Sequence, residues 1–94
     1  MSKFCNVPVD KDTKILGEDQ MKFLGYDILY QKWFWDGIYA ESVIFHSSDV
    51  LDLSNEEIVE LVNSSPIVKN KTNTTISRSD KNDFVFVNFN FQTN

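Results

Sequence analysis

The side chains able to do chemistry are few, and their spacing points to no familiar reaction. His46 is the single histidine and is followed by Ser47, Ser48 and Asp49. Nucleophilic catalysis by serine, histidine and aspartate needs side chains converging from separate elements, and immediate neighbours seldom meet that geometry. Asp49 with Asp52, or Glu56 with Glu60, could share a divalent cation, and the second pair stands one helical turn apart. A solvated acidic helix face accounts for the same pattern, so no metal site is expected. Cys5 and His46 supply two ligands where structural zinc takes four. Asp10 and Asp12 begin like a calcium loop, but Lys14 and Ile15 stand where such a loop places an oxygen ligand and then glycine. There is no Cys-x-x-Cys, no His-Glu-x-x-His and no phosphate-cradling glycine loop. Tyr26, Tyr30 or His46 could act as an acid or base in a pocket, with nothing to single one out. The expectation is a protein with no cofactor and no metal, and not an enzyme.

The aromatic residues carry a clearer signal. Both tryptophans and all three tyrosines fall between residues 26 and 39. Tryptophan and tyrosine combine a large apolar body with a polar tip and commonly anchor interfaces. Tyr30, Trp33, Trp35 and Tyr39 are therefore the candidate binding residues. The expected partner is another protein or a second copy of the chain, since a twofold dimer is the commonest cover for such a patch. The alternative is a small-ligand-binding domain, with an aromatic-lined cleft between helix and sheet that takes a small apolar or cationic molecule. The same aromatics could also simply fill the core of a small domain.

The element that positions these residues is a β-hairpin. Asp36-Gly37 separates two runs rich in aromatic and β-branched residues, the strongest short-range hairpin signal. A type I′ turn needs positive φ at both central positions, which aspartate tolerates and glycine adopts freely. A two-residue loop sets Trp35 opposite Ile38, Phe34 opposite Tyr39, Trp33 opposite Ala40, Lys32 opposite Glu41 and Gln31 opposite Ser42. Tyr30 then faces Val43, and Leu29 faces Ile44. One side of the ribbon carries Ile28, Tyr30, Lys32, Phe34, Tyr39, Glu41, Val43 and Phe45. The other carries Leu29, Gln31, Trp33, Trp35, Ile38, Ala40, Ser42 and Ile44. Neither alternates cleanly, so the pattern does not say which is core.

The best helix signal lies at residues 54–64. Ser54 with Glu57 forms a capping box, Leu53 can staple onto Ile58, and Ile58, Leu61 and Val62 make the apolar stripe. Pro66 enforces the stop. Thr74–Ser79 and Phe84–Phe91 read as strands around a turn at residues 80–83, with Arg78 opposite Val85, Ile76 opposite Val87 and Thr74 opposite Phe89. Residues 3–9 suggest an edge strand, because Pro8 lacks an N–H. Residues 10–22 read as polar and turn-rich, with a short helix over 18–24 left open and a strand over about 23–35. The order β-β-α-β-β gives an α+β fold, in which a small antiparallel sheet of two hairpins carries one helix on a face, with an N-terminal edge strand as an addition.

Ninety-four residues make one domain, residues 1–94, able to bury a modest core unaided. The net charge of −5 argues against a nucleic-acid binder, which needs a basic face to neutralise phosphates. Charge is uneven: residues 49–60 hold five acids and no base, while residues 69–81 hold Lys69, Lys71, Arg78 and Lys81 against Asp80. These could be two solvated faces, or could meet in an assembly. No run of apolar residues is long enough to span a membrane, and the N-terminal residues lack the apolar core of a signal peptide. With one cysteine and no internal disulfide, a reducing cytoplasmic setting and no membrane association are expected. The three Asn-x-Ser/Thr triplets, at Asn63, Asn70 and Asn73, are then read as chance. In size, acidity and want of catalytic motifs the chain resembles accessory proteins of phages and mobile elements, with no shared motif behind that likeness.

Overall fold

The computed structural model describes Phe4 and residues 11–64, 71–78 and 83–91. Among these, five strands form one antiparallel sheet: β1 (Lys14–Phe23), β2 (Tyr26–Trp35), β3 (Ile38–His46), β4 (Lys71–Arg78) and β5 (Phe84–Phe91). Their spatial order is β1-β2-β3-β5-β4. A 3₁₀ turn, Ser47–Val50, and one helix, α1 (Asn55–Asn63), carry the chain from β3 toward β4. The fold is α+β, with one helix on a small antiparallel sheet.

The β2–β3 register is the one the turn dictates: every pair from Trp35↔Ile38 to Leu29↔Ile44 is present. Asp36 and Gly37 have φ of 51° and 79°, the left-handed values of a type I′ turn. In the β4–β5 pair, Arg78↔Val85 and Ile76↔Val87 stand as expected, but the ladder slips between Thr75 and Thr72. Thr72 faces Asn90 there, so one extra residue is accommodated as a bulge and the expected Thr74–Phe89 pairing is not part of the regular ladder.

Residues 14–23, read from sequence mostly as turn, form β1 instead. Nine of its ten residues are exposed or half-buried, so the strand shows little of the hydrophobic signal on which recognition depends. It exists because β2 supplies a ladder and because Leu24-Gly25 makes a second tight turn, with φ of 50° and 89°. That turn also moves the start of the following strand to Tyr26 and rules out a helix over 18–24. The expected strand at residues 3–9 lies, apart from Phe4, outside the described residues, as does the turn at 80–83 apart from Asp83.

The core sits between α1 and one face of the sheet. Phe23, Ile28, Val43, Phe45, Val50, Ile58, Val62, Val85, Val87 and Phe89 form its buried cluster. The uncertainty over the hairpin is thereby resolved: the Ile28–Val43–Phe45 side faces the helix. Ser54 accepts the Glu57 backbone N–H, and the Glu57 carboxylate accepts the Ser54 N–H, completing the capping box at 3.1 and 3.0 Å. Such a cap contributes about 1 kcal/mol. The opposite sheet face holds a second, smaller cluster of Phe4, Leu29, Ile44 and Phe84, with Phe86 against it. The Phe4 and Phe84 rings stack at 6.0 Å.

Candidate functional site

Helix length decides what the α1 side of the sheet leaves uncovered. Nine helical residues span about 13 Å, whereas the ten residues of β2 run about 33 Å. Tyr26 and Phe45 pack with the helix-side core, their rings meeting edge-on at 5.9 Å. The turn end of the hairpin lies far from them along both strands. There Trp35, Ile38 and Tyr39 are 41%, 40% and 53% exposed. Phe34 lies across from Tyr39 with ring centroids 4.9 Å apart. Trp35 and Ile38 form the corresponding pair on the other face. Leu16, the extra residue of the β1 bulge between Ile15 and Gly17, is 49% exposed beside them, since Ile15 faces Trp33 and Gly17 faces Lys32.

The four aromatics singled out from sequence therefore part company. Trp35 and Tyr39 stand in the exposed end. Trp33 is half-buried and its indole N–H donates to Ser42 Oγ at 2.7 Å. Tyr30 is half-buried and its hydroxyl donates to the Glu41 carboxylate. Both polar tips are thus engaged within the chain. Phe34, Ile38 and Leu16 belong to the exposed end without having been named from sequence. For Phe34 and Ile38 the available signal was their nearness to Asp36-Gly37 in sequence; for Leu16, on β1, there was none.

Two polar arrangements were also not foreseen. On the face away from α1, Glu18, Gln31, Ser42, Asn88 and Thr75 occupy one row across all five strands, each paired with the next. Gln31 Nε2 donates to Glu18 Oε2 at 3.1 Å, and the Ser42 hydroxyl donates to Asn88 Oδ1 at 2.5 Å. Gln31 and Ser42 are buried, so these bonds replace water that folding removes. On the helix side, Glu41 is also buried. Desolvation pushes its carboxyl pKa up, while the Tyr30 hydrogen bond and the Lys32 charge pull it down by less. Burial, then the neighbouring Glu41, raise the Tyr30 phenol, which stays protonated at ordinary pH.

His46 Nδ1 lies 2.7 Å from Ser48 Oγ, and its ring meets Phe84 edge-on at 5.8 Å. This contact spans two residues at a strand end. Among the described residues no three histidine, cysteine, aspartate or glutamate side chains gather as metal ligands. Nor is any helix among them long and apolar enough to cross a membrane.

Open grooves flank α1. One is lined by Asn55, Glu56, Val59, Glu60 and Asn63 of the helix and by Ile76 of β4. The other is lined by Tyr26, Leu53, Glu57, Glu60, Leu61 and Ser64. Tyr26 is the one aromatic in either among the described residues. The acidic segment and β4 meet within the chain itself: α1 packs on β4, and Arg78 Nη2 donates to the Leu53 carbonyl at 3.3 Å. The chain matches no known protein family, no curated protein and no solved structure.

Proposed function

We propose that this is a small acidic protein-interaction or inhibitor module that self-associates through the open end of its aromatic hairpin. The observation that carries the reading is the exposed group Trp35, Ile38 and Tyr39, with the Phe34 ring tilted against Tyr39, held on a two-residue turn. A type I′ hairpin fixes the backbone that carries these side chains, which lowers the ordering cost of binding. Large apolar side chains left in water at one place mark a contact surface more often than an accident of composition. A second copy is the favoured partner because a twofold contact uses every apolar side chain twice.

Sedimentation velocity over a range of concentrations tests the proposal. The expected result is a reversible dimer that Trp35→Ala with Tyr39→Ala converts to monomer while the circular dichroism spectrum is unchanged. Both side chains are exposed, so the double variant keeps the core intact. Trp33 is left in place because its indole holds Ser42. A parent protein that stays monomeric at every concentration, or a double variant that dimerises as tightly as the parent, overturns it.

A further inference from the structure

The two grooves beside α1 differ in the state of their carboxylates. On the Tyr26 side, Glu57 spends its carboxylate on the Ser54 backbone N–H, closing the capping box. On the β4 side, Glu56 and Glu60 stand exposed on the rim, and neither side chain is hydrogen-bonded or ion-paired among the described residues. The floor of that groove is Val59 and Ile76, both half-buried, with Asn55 and Asn63 toward its two ends. Its open volume is about 330 Å³, the low end of the range for small-molecule sites. We infer that this groove binds a small aliphatic amine, with the ammonium held between Glu56 and Glu60 and the carbon chain laid over Val59 and Ile76.

The chemistry of the ligand follows from the groove. The α1 sequence, Asn-Glu-Glu-Ile-Val-Glu-Leu-Val-Asn, holds three acids and no base, so its field draws cations and repels anions. Arg78 lies two residues beyond Ile76 on the same face of β4, but its Nη2 donates to the Leu53 carbonyl and it pairs with neither rim carboxylate. Glu56 and Glu60 are one helical turn apart, about 6 Å along the axis. An ammonium bonds a carboxylate oxygen at about 2.7–2.9 Å, so one placed between the two reaches both. A primary amine carries its charge at one end of its chain. The head therefore stays at the wet rim while the chain lies on the floor, and both contacts are made from one side. Val59 and Ile76 are aliphatic, and no aromatic lines this groove among the described residues, which favours an alkyl chain over a cation that needs a ring to stack on. The site is separate from the hairpin end and does not depend on it.

The test titrates n-hexylammonium, n-butylammonium, n-hexanol and n-hexanoate into the isotope-labelled full chain and follows the backbone amide signals. The expected result is a saturable shift at millimolar hexylammonium in residues 55–63 and 74–78, while residues 34–39 stay unmoved. Each methylene withdrawn from water adds up to about fourfold in affinity, so butylammonium should bind several-fold more weakly. Hexanol should bind more weakly than hexylammonium, and hexanoate more weakly still. Glu56→Gln with Glu60→Gln, two exposed changes that leave the capping box in place, should weaken hexylammonium binding about fivefold, the effect of two surface ion pairs. Hexanol binding should be the same in that variant as in the parent. The absence of a saturable shift with hexylammonium overturns the inference, as do shifts centred on Tyr26 or on the hairpin end. So does hexylammonium bound no more tightly than butylammonium, hexanol or hexanoate, or a double variant that binds it as tightly as the parent.

Discussion

Replacing Ser42 by alanine should show how much the polar row across the outer sheet face contributes. Ser42 is 3% exposed; its oxygen accepts the Trp33 indole N–H at 2.7 Å, and its hydroxyl donates to Asn88 Oδ1 at 2.5 Å. Ser42→Ala removes both bonds and creates almost no cavity, so packing stays nearly constant. Each lost hydrogen bond costs about 1 kcal/mol net, and a stranded buried group costs about 1–3 kcal/mol. Trp33 and Asn88 are half-buried, so water can reach them in part, and the total falls near the low end, about 2 kcal/mol. For a domain of this size each kcal/mol moves the melting temperature by about 4–8 °C, giving a drop of about 8–16 °C. Urea unfolding followed by tryptophan fluorescence supplies the free energy, and calorimetry the temperature. Asn88→Ala and the double variant complete a cycle, whose coupling should be about 1 kcal/mol because the partners touch. A Ser42→Ala protein within about 0.5 kcal/mol of the parent, or strictly additive single changes, would refute the claim that this row stabilises the fold.

Other predictions concern the helix-side face and the first turn. Because burial raises the Glu41 carboxyl in the folded state, the folded chain holds that proton more tightly than the unfolded chain does. Its contribution to stability is thus full below the ordinary glutamate range and is lost as pH rises through the folded value. Glu41→Gln keeps an acceptor for Tyr30 without the charge, so the melting temperature of the variant relative to the parent should climb with pH through that window; a difference flat with pH would be the contrary result. Leu24 has φ of 50° and is 64% exposed, so a branched side chain sits in a left-handed conformation with little packing in return. Leu24→Asn should stabilise by about 1 kcal/mol, measured by urea unfolding, since asparagine tolerates that conformation and leucine does not. A loss of stability in that variant would mean that Leu24 packs more than its exposure implies.

Local chemistry was legible in the sequence, and long-range placement was not. Asp36-Gly37 determined the turn, and a two-residue turn leaves one register, so the β2–β3 pairing followed residue by residue. Ser54 and Glu57 determined the start of α1 because a capping box is closed by groups three residues apart. β1 was hidden because an edge strand with mostly exposed side chains has no burial to advertise, and its ladder depends on β2. Which hairpin face is core depended on where α1 comes to rest, a choice made by Val85, Val87 and Phe89 arriving from the far end of the chain. The Ser42–Asn88 bond joins residues 46 apart, and only the order β1-β2-β3-β5-β4, which sets β3 against β5, brings them together. The exposed end of the hairpin lies between these cases. Composition put the aromatics near the turn, but only the tertiary structure left Tyr39 in water beyond the short helix with a half-buried Phe34 beside it, and Trp35 and Ile38 in water on the other face, while Tyr30 and Trp33 engaged their polar tips within the chain.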